Sequence, residues 1–146
     1  MHKPKILFLC TGNSCRSQMA EGWGRHLHPD QYEFFSAGIE KHGLNPLAVK
    51  VMGEAGIDIS SQHSKLLSEL ETTTFDYVIT VCDHAHEQCP LFAGKAIRLH
   101  QEFPDPPRLA QTAASEEEAL DHYRAVRDLI REYLLTLPTT LSSQHS

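Results

Sequence analysis

The sequence lacks the features of a nucleic-acid-binding or membrane protein. Thirteen Lys and Arg residues stand against nineteen Asp and Glu residues, and a net charge of −6 predicts no broad basic surface for nucleic acid or anionic lipid. The apolar stretch near the N-terminus, Ile6 to Leu9, is too short for a signal sequence or a membrane span. Cysteine is scarce, at four residues. We therefore expect a soluble cytoplasmic protein whose cysteines serve as redox, metal-binding or catalytic thiols rather than as structural disulfides.

Apolar runs of strand length alternate with amphipathic helical patterns along the 146 residues. The predicted strands lie near 6–9, 32–37, 75–81 and 95–99, and the predicted helices near 17–27, 46–54 and 116–134. This alternation predicts an α/β fold with a parallel sheet and right-handed crossovers. Ligands of such folds bind at the carboxyl ends of the strands.

Local signals place several helix ends. Asn45 before Pro46 predicts a helix start, and Gly56 predicts the end of that helix. Ser115 and Glu118 form a potential capping box at the start of the last long helix. Residues 101–114 are predicted to form a proline-rich loop. The Thr-, Ser- and Gln-rich segment 138–146 has no periodicity, so we expect one domain over 1–137 followed by a disordered tail.

The segment from Cys10 to Arg16 connects the first strand to the first helix, where backbone N–H groups and the helix dipole favour an anion. Arg16 can bind two anion oxygens, and Gly12 and Asn13 tolerate the left-handed dihedrals of a tight cradle. The pattern predicts that Cys10 is a thiolate nucleophile, with its pKa lowered by the helix N-terminus and the cation. Ser17 is expected to donate a hydrogen bond to this thiolate. The residues expected to surround the oxyanion are Thr11, Gly12, Asn13, Ser14, Cys15 and Arg16, of which Cys15 has either a filler role under the cradle or a redox role.

The run from Cys10 to Trp23, together with Ser36-Ala37-Gly38 and Gly56 to Ser60, strongly resembles thioredoxin-coupled arsenate reductases, which share the fold of low-molecular-weight protein tyrosine phosphatases. The resemblance extends to about Leu134. It implies a single domain with a four-stranded parallel sheet flanked by helices. It also implies arsenate as substrate, thioredoxin as reductant and no tightly bound cofactor, and we expect a monomer.

Two further cysteines, Cys82 and Cys89, lie seven positions apart and begin where a predicted central strand ends. By resemblance, Cys82 attacks the arsenylated Cys10 and releases arsenite, and Cys89 then attacks Cys82 and exports the disulfide to thioredoxin. A phosphatase needs no such pair, because thiols do not reduce phosphate in cells. A zinc site made of Cys82, His84, His86 and Cys89 is the competing interpretation, although so short a segment rarely wraps one ion tetrahedrally.

Asp105 precedes a proline in the loop after the last predicted strand. The related phosphatases and reductases carry their general acid in such an Asp-Pro pair, so the resemblance implies that Asp105 protonates the departing oxygen. In the phosphatases, aromatic residues follow this pair, whereas Pro107 and Arg108 follow here. A phosphomonoester phosphatase and a non-catalytic thiol or zinc sensor therefore stay as the alternative functions, and a glutathione system as the alternative reductant.

Some related reductases bind potassium beside the loop, through residues matching Asn13, Glu21 and Ser36 and an acidic residue at the position of Lys65. The lysine makes a potassium site doubtful in this chain. The hypothesis from the sequence is that the Lys65 ammonium supplies the positive charge near Glu21.

Overall fold

A computed structural model describes residues 3–70, 74–82 and 96–143. Four strands form one parallel sheet in the order β2-β1-β3-β4. The strands are β1 (Lys5–Cys10), β2 (Glu33–Gly38), β3 (Tyr77–Thr80) and β4 (Ile97–His100). The helices of the described residues are α1 (Arg16–Leu27), α2 (Pro46–Glu54), α3 (Pro106–Ala110), α4 (Glu116–Leu135) and α5 (Leu137–Ser143). The α/β class and the four-stranded parallel sheet are as predicted.

The centre of the sheet is β1 and β3, whose apolar side chains are buried, as is typical of a parallel sheet covered on both faces. Cys10 is the last residue of β1 and lies opposite Gly38 of β2. Leu9 lies opposite Thr80 of β3, so Cys82 follows at the same edge of the sheet. Parallel pairing therefore brings two cysteines distant in sequence to the carboxyl ends of neighbouring strands.

The long helix α4 covers the other helices with one apolar stripe. Its stripe residues are all buried, and they are Leu120, Tyr123, Val126, Ile130 and Leu134. The helices α1, α2 and α3 all pack against α4, and α1 also packs on β1 and β2. These contacts fix the N-terminus of α1, and with it the loop that precedes it, on the edge of the sheet.

The predicted helix ends at α2 are confirmed. The Asn45 side chain accepts from the N–H groups of Leu47 (2.9 Å) and Ala48 (3.4 Å), and Gly56 adopts a φ of 84° just beyond the helix. At α4, Ser115 Oγ accepts from the Glu118 N–H at 3.1 Å, as in a capping box. The Glu118 carboxylate bonds to the N–H of Ala114 instead of Ser115, at 2.6 Å.

Two predictions about irregular segments are wrong. The proline-rich loop contains α3, because Pro106 and Pro107 occupy the first helical positions, where a missing N–H costs nothing. The tail expected to be disordered from residue 138 forms α5 over Leu137–Ser143. Leu137 and Leu141 lie one turn apart on this helix and are both buried, so apolar packing stabilises a segment whose composition is polar.

Candidate active site

The loop from Cys10 to Ser14 is held from outside through its carbonyl groups. Each carbonyl of the loop accepts one of the following hydrogen bonds: Ile39 N–H to Cys10 O (3.3 Å), Glu40 N–H to Thr11 O (2.8 Å), His42 N–H to Gly12 O (3.1 Å), Gln18 Nε2–H to Asn13 O (3.0 Å) and Asn45 N–H to Ser14 O (2.9 Å). A trans peptide holds its N–H opposite its C=O. The N–H groups of the loop therefore face its concave side, where successive backbone donors bind an anion.

Asn13 is the conformational centre of this loop. It is fully buried and adopts a φ of 48°, the left-handed region that asparagine tolerates. Its Nδ2 donates to Ser17 Oγ at 2.9 Å, and its Oδ1 accepts from Gln18 Nε2 (3.0 Å) and from the Lys65 N–H (2.9 Å). The bond from Ser17 to the Cys10 thiolate expected from the sequence is not among the hydrogen bonds of the described residues. In this structure Ser17 stabilises the loop through Asn13.

Cys10, Arg16 and Asp105 line one cavity of about 390 Å³. The Arg16 guanidinium is largely buried. Its Nη1 donates to the Phe103 carbonyl at 2.9 Å, and its Nη2 lies 3.7 Å from the Asp105 carboxylate. Asp105 itself is 40 % exposed and stands at the start of α3. A cation, a thiol and a carboxyl group thus converge on one space, as the sequence predicts for these three residues.

Cys82 lies beside Cys10, close enough for its thiol to shift the pKa of the Cys10 thiol. The Thr11 hydroxyl is also hydrogen-bonded to the Cys82 sulfur, at 3.2 Å. Cys82 lines a second cavity of about 620 Å³, which shares Thr11, Arg16 and Asp105 with the first. The three described cysteines are free thiols, so this pair can form a disulfide when oxidised. The sequence predicts that the two residues share an edge; their direct contact comes from the structure.

The pKa of the Cys10 thiol is raised well above its ordinary value, which is the opposite of the prediction. The neighbouring Cys82 thiol raises this pKa most, because the interaction favours the protonated form of Cys10, and burial raises it next. The Arg16 charge and the Thr11 N–H lower it, but less. Two adjacent thiols resist a second ionisation, so the Cys10–Cys82 pair holds at most one negative charge near neutral pH.

Cys15 behaves as a buried filler of the loop. Its side chain is 3 % exposed, and burial is the largest of the causes that raise its pKa far above that of a free thiol. Unlike Cys10, Cys15 has no second thiol among the described groups that shift its pKa. The filler interpretation is therefore favoured over a redox role.

His42 is a residue of this site that the sequence analysis missed. Its ring packs on Gly12, where a Cβ would overlap the imidazole, and it lines the Cys10 cavity. Its Nε2 is 2.7 Å from the Glu40 carboxylate. The spacing of the histidines along the chain holds no signal for this contact, because segment 39–45 reaches the loop only through the pairing of β1 with β2.

Several predicted site residues lie outside the described residues. They are Cys89, His84 and His86, so the structure does not describe the third thiol or the alternative zinc site. Among residues 3–70, 74–82 and 96–143, no cluster of three or more His, Cys, Asp or Glu side chains could hold a metal ion. No helix in these same ranges is both long enough and apolar enough to cross a membrane.

Cys10 lies at the end of a central strand, in a loop whose N–H groups and arginine can bind an anion. This arrangement defines an enzyme whose cysteine attacks a bound tetrahedral oxyanion. Residues 5–146 match the family model described as low molecular weight phosphotyrosine protein phosphatase. The chain is 46% identical over 140 residues to an arsenate reductase of Halalkalibacterium halodurans, covering 96% of this chain and 99% of that protein. An arsenate reductase of Bacillus subtilis is 48% identical over 130 residues, which are 89% of this chain and 91% of the relative.

The fold gives the same result as the sequence comparisons. A solved arsenate reductase in a phosphate-binding state superimposes with a TM-score of 0.78 at 31% identity, covering 94% of this chain and 98% of that one. The chain therefore belongs to the low molecular weight phosphotyrosine protein phosphatase family, and within it to the arsenate reductases.

Proposed function

We propose that this chain reduces arsenate to arsenite through a disulfide relay of Cys10, Cys82 and Cys89 that thioredoxin regenerates. The observation that carries the proposal is that the Cys82 thiol lies beside the Cys10 thiol and raises its pKa, with the Thr11 hydroxyl of the oxyanion loop hydrogen-bonded to the Cys82 sulfur. A phosphatase needs only the first of these thiols. A reductase needs the second within bonding reach, because two electrons must leave sulfur for arsenic.

The first step joins Cys10 to arsenic. The Cys10 thiol first gives up its proton to solvent, and the thiolate attacks As(V) as an As–OH bond breaks; Asp105 protonates the departing hydroxide, which leaves as water. The loop N–H groups and the Arg16 guanidinium bind the remaining oxygens. Asp105 lies 3.7 Å from Arg16, so acid and anion-binding cation act on the same side of the cavity.

The second step is the reduction. The Cys82 thiolate attacks the Cys10 sulfur, the S–As electron pair passes to arsenic, and arsenite leaves as As(III) while a Cys10–Cys82 disulfide remains. Thr11 supports this step through the 3.2 Å contact between its hydroxyl and the Cys82 sulfur, because an ionised Cys82 can accept a hydrogen bond from that hydroxyl. Cys89 then attacks Cys82, Cys10 leaves as a thiolate, and the dithiol of thioredoxin reduces the Cys82–Cys89 disulfide.

The test couples arsenate to NADPH oxidation through thioredoxin and thioredoxin reductase, with glutathione and glutaredoxin as the alternative reductants. We expect turnover with thioredoxin in the wild type and loss of turnover in Cys82→Ser. Arsenate loss with glutathione alone would reassign the reductant, and no arsenate-dependent oxidation with either system would contradict the proposal.

The alternative function is a phosphomonoesterase, because the oxyanion loop and Asp105 would serve it equally. Against it, Pro107 lines the Cys10 cavity where the phosphatases carry an aromatic wall. Hydrolysis of p-nitrophenyl phosphate separates the two functions, because Cys82→Ser should leave any such hydrolysis intact while it abolishes arsenate reduction.

We further propose that the protein acts as a cytoplasmic monomer. A thiol relay needs a compartment that keeps its cysteines reduced, and the acidic surface opposes self-association. Size-exclusion chromatography with light scattering should give a single species near 16.4 kDa. A stable species of twice that mass would contradict the monomer.

A further inference from the structure

Lys65 lies under the oxyanion loop, with its side chain only 16% exposed. Both backbone groups of Lys65 are hydrogen-bonded: the N–H donates to Asn13 Oδ1 at 2.9 Å, and the carbonyl accepts from the Gly38 N–H at 2.9 Å. These bonds join the loop, β2 and the segment 63–66. The bond to Asn13 comes from the Lys65 backbone, so the side chain of residue 65 acts on Asn13 by fixing the position of that backbone.

The ammonium of Lys65 points at a buried carboxylate. Its Nζ lies 3.7 Å from Glu21 Oε1, 3.4 Å from Ser36 Oγ and 3.2 Å from the His63 carbonyl. Ser36 Oγ in turn donates to the same Glu21 oxygen. Glu21 is 3% exposed, and a buried carboxylate is stable only when it is paired and hydrogen-bonded.

The second Glu21 oxygen is also occupied, because Arg25 pairs with Oε2 at 2.9 Å. Glu21 thus has one cation on each oxygen. A potassium ion would bring a third positive charge to one carboxylate, so the residues of this chain do not fit it.

We propose that the Lys65 ammonium is a built-in cation that takes the place of a potassium ion beside the oxyanion loop and holds the Asn13 conformation without a metal. Lys65 is a positioning residue, since it acts on the anion through Asn13 and Glu21. Burial lowers the pKa of this lysine and the Glu21 charge opposes that shift, so the Glu21 carboxylate is the group that favours the ammonium form.

The first test compares thermal unfolding in KCl and NaCl at equal ionic strength. The wild type should unfold at the same Tm in both salts, within about 1 °C, because nothing binds potassium selectively. Lys65→Asp should gain a potassium preference of more than about 3 °C, because it exchanges the ammonium for a carboxylate ligand. A wild-type preference for potassium of that size, or a Lys65→Asp protein with the same Tm in both salts, would overturn the proposal.

The second test measures the oxyanion site without any arsenate chemistry. Inorganic phosphate should protect Cys10 from iodoacetamide, and its dissociation constant should rise about tenfold in Lys65→Met, because Glu21 loses its cation and the backbone that bonds to Asn13 is no longer fixed. Lys50→Met is the matched control, since Lys50 is an exposed lysine that pairs with Glu116 at 3.8 Å, away from the loop. Equal phosphate protection in Lys65→Met and the wild type would overturn the positioning role.

This role of Lys65 rests on the proposed function only in that the loop binds an oxyanion. The two tests, salt-dependent unfolding and protection by phosphate, do not require the protein to reduce arsenate. A protein that passes both tests and still fails to reduce arsenate would therefore contradict the relay and leave the built-in cation in place.

Discussion

Gly38 has no side chain because the oxyanion loop occupies the space where one would lie. It pairs with Cys10 across β1 and β2, and a Cβ there would come within 2.5 Å of the Glu40 carbonyl oxygen, 2.8 Å of the Asn13 nitrogen and 2.9 Å of the Thr11 oxygen. All three are backbone atoms, and Glu40 is itself hydrogen-bonded to Thr11, so the loop or the segment bonded to it would have to move. A single methyl group at this position therefore tests how finely the cradle is positioned.

We expect Gly38→Ala to fold and to lower kcat/KM for arsenate by on the order of 100-fold, because small displacements of reacting groups have effects of this size. Gly53→Ala is the control, since a Cβ there meets nothing within 4 Å. Gly53 lies inside α2, so its replacement should leave activity unchanged and raise the free energy of unfolding by about 0.5–1 kcal/mol. Wild-type kinetics in Gly38→Ala would contradict the account of the loop.

The Cys10 thiol provides a second prediction at the scale of single residues. The neighbouring Cys82 thiol is the main cause of its raised pKa, so Cys82→Ala should lower that pKa. At any pH below the pKa, the thiolate fraction then rises, by about tenfold for each unit. The rate of Cys10 alkylation by iodoacetamide should rise at pH 7, and its profile should move to lower pH.

Peptide mass spectrometry assigns this alkylation to Cys10. Cys15→Ala is the control, because Cys15 is a buried thiol that is not among the causes of the Cys10 shift. An alkylation profile for Cys82→Ala that coincides with the wild type, or moves to higher pH, would show that the thiol pair does not set the Cys10 pKa.

Among the elements, α5 differs most from the expectation. Leu141 is 2% exposed in a segment predicted to be disordered. Leu141→Ala should lower the free energy of unfolding by about 2–4 kcal/mol if this helix packs as described. Leu129→Ala removes an equal side chain that is 50% exposed on α4, and it should cost less than about 1 kcal/mol. Equal, small effects in urea titrations of both variants would indicate a tail that does not contribute to the fold.

The sequence predicts the elements whose signals are local. Asn45-Pro46 marks the start of α2, and the apolar stripe beginning at Leu120 marks the buried face of α4. It misses α3 because a proline cluster indicates a loop and a helix start equally. It misses α5 because two leucines separated by polar residues form no periodic pattern, and only their burial against the rest of the fold stabilises the helix.

The site divides in the same way. The loop from Cys10 to Arg16 can be recognised from the sequence as an oxyanion site, because the nucleophile, the glycine and the arginine all lie in one short segment. The contact of His42 with Gly12 and the raised pKa of Cys10 depend on side chains brought together by strand pairing, and no spacing along the chain encodes them. The pattern around Cys10 therefore predicts the position of the thiol correctly, but it predicts a lowered pKa where the structure gives a raised one.

At the scale of the whole molecule, the strand topology brings the two thiols of the site together. The strands β1 and β3 are neighbours and parallel, so Cys10 and Cys82 meet at one edge although they are far apart in sequence. An acidic protein of net charge −6 binds an anion only where the backbone N–H groups of the loop and Arg16 concentrate positive charge. The same edge holds the acid, the oxyanion site and two of the three proposed relay thiols.

The relay itself is tested most directly by trapping its disulfides. The reduced protein is mixed with one equivalent of arsenate without thioredoxin, quenched with an alkylating reagent and mapped by mass spectrometry, in the wild type and in Cys89→Ser. The account predicts a bridge between Cys82 and Cys89 in the wild type and a bridge between Cys10 and Cys82 in Cys89→Ser, each with release of one arsenite. Fully alkylated cysteines in both proteins, with the arsenate unreduced, would contradict it.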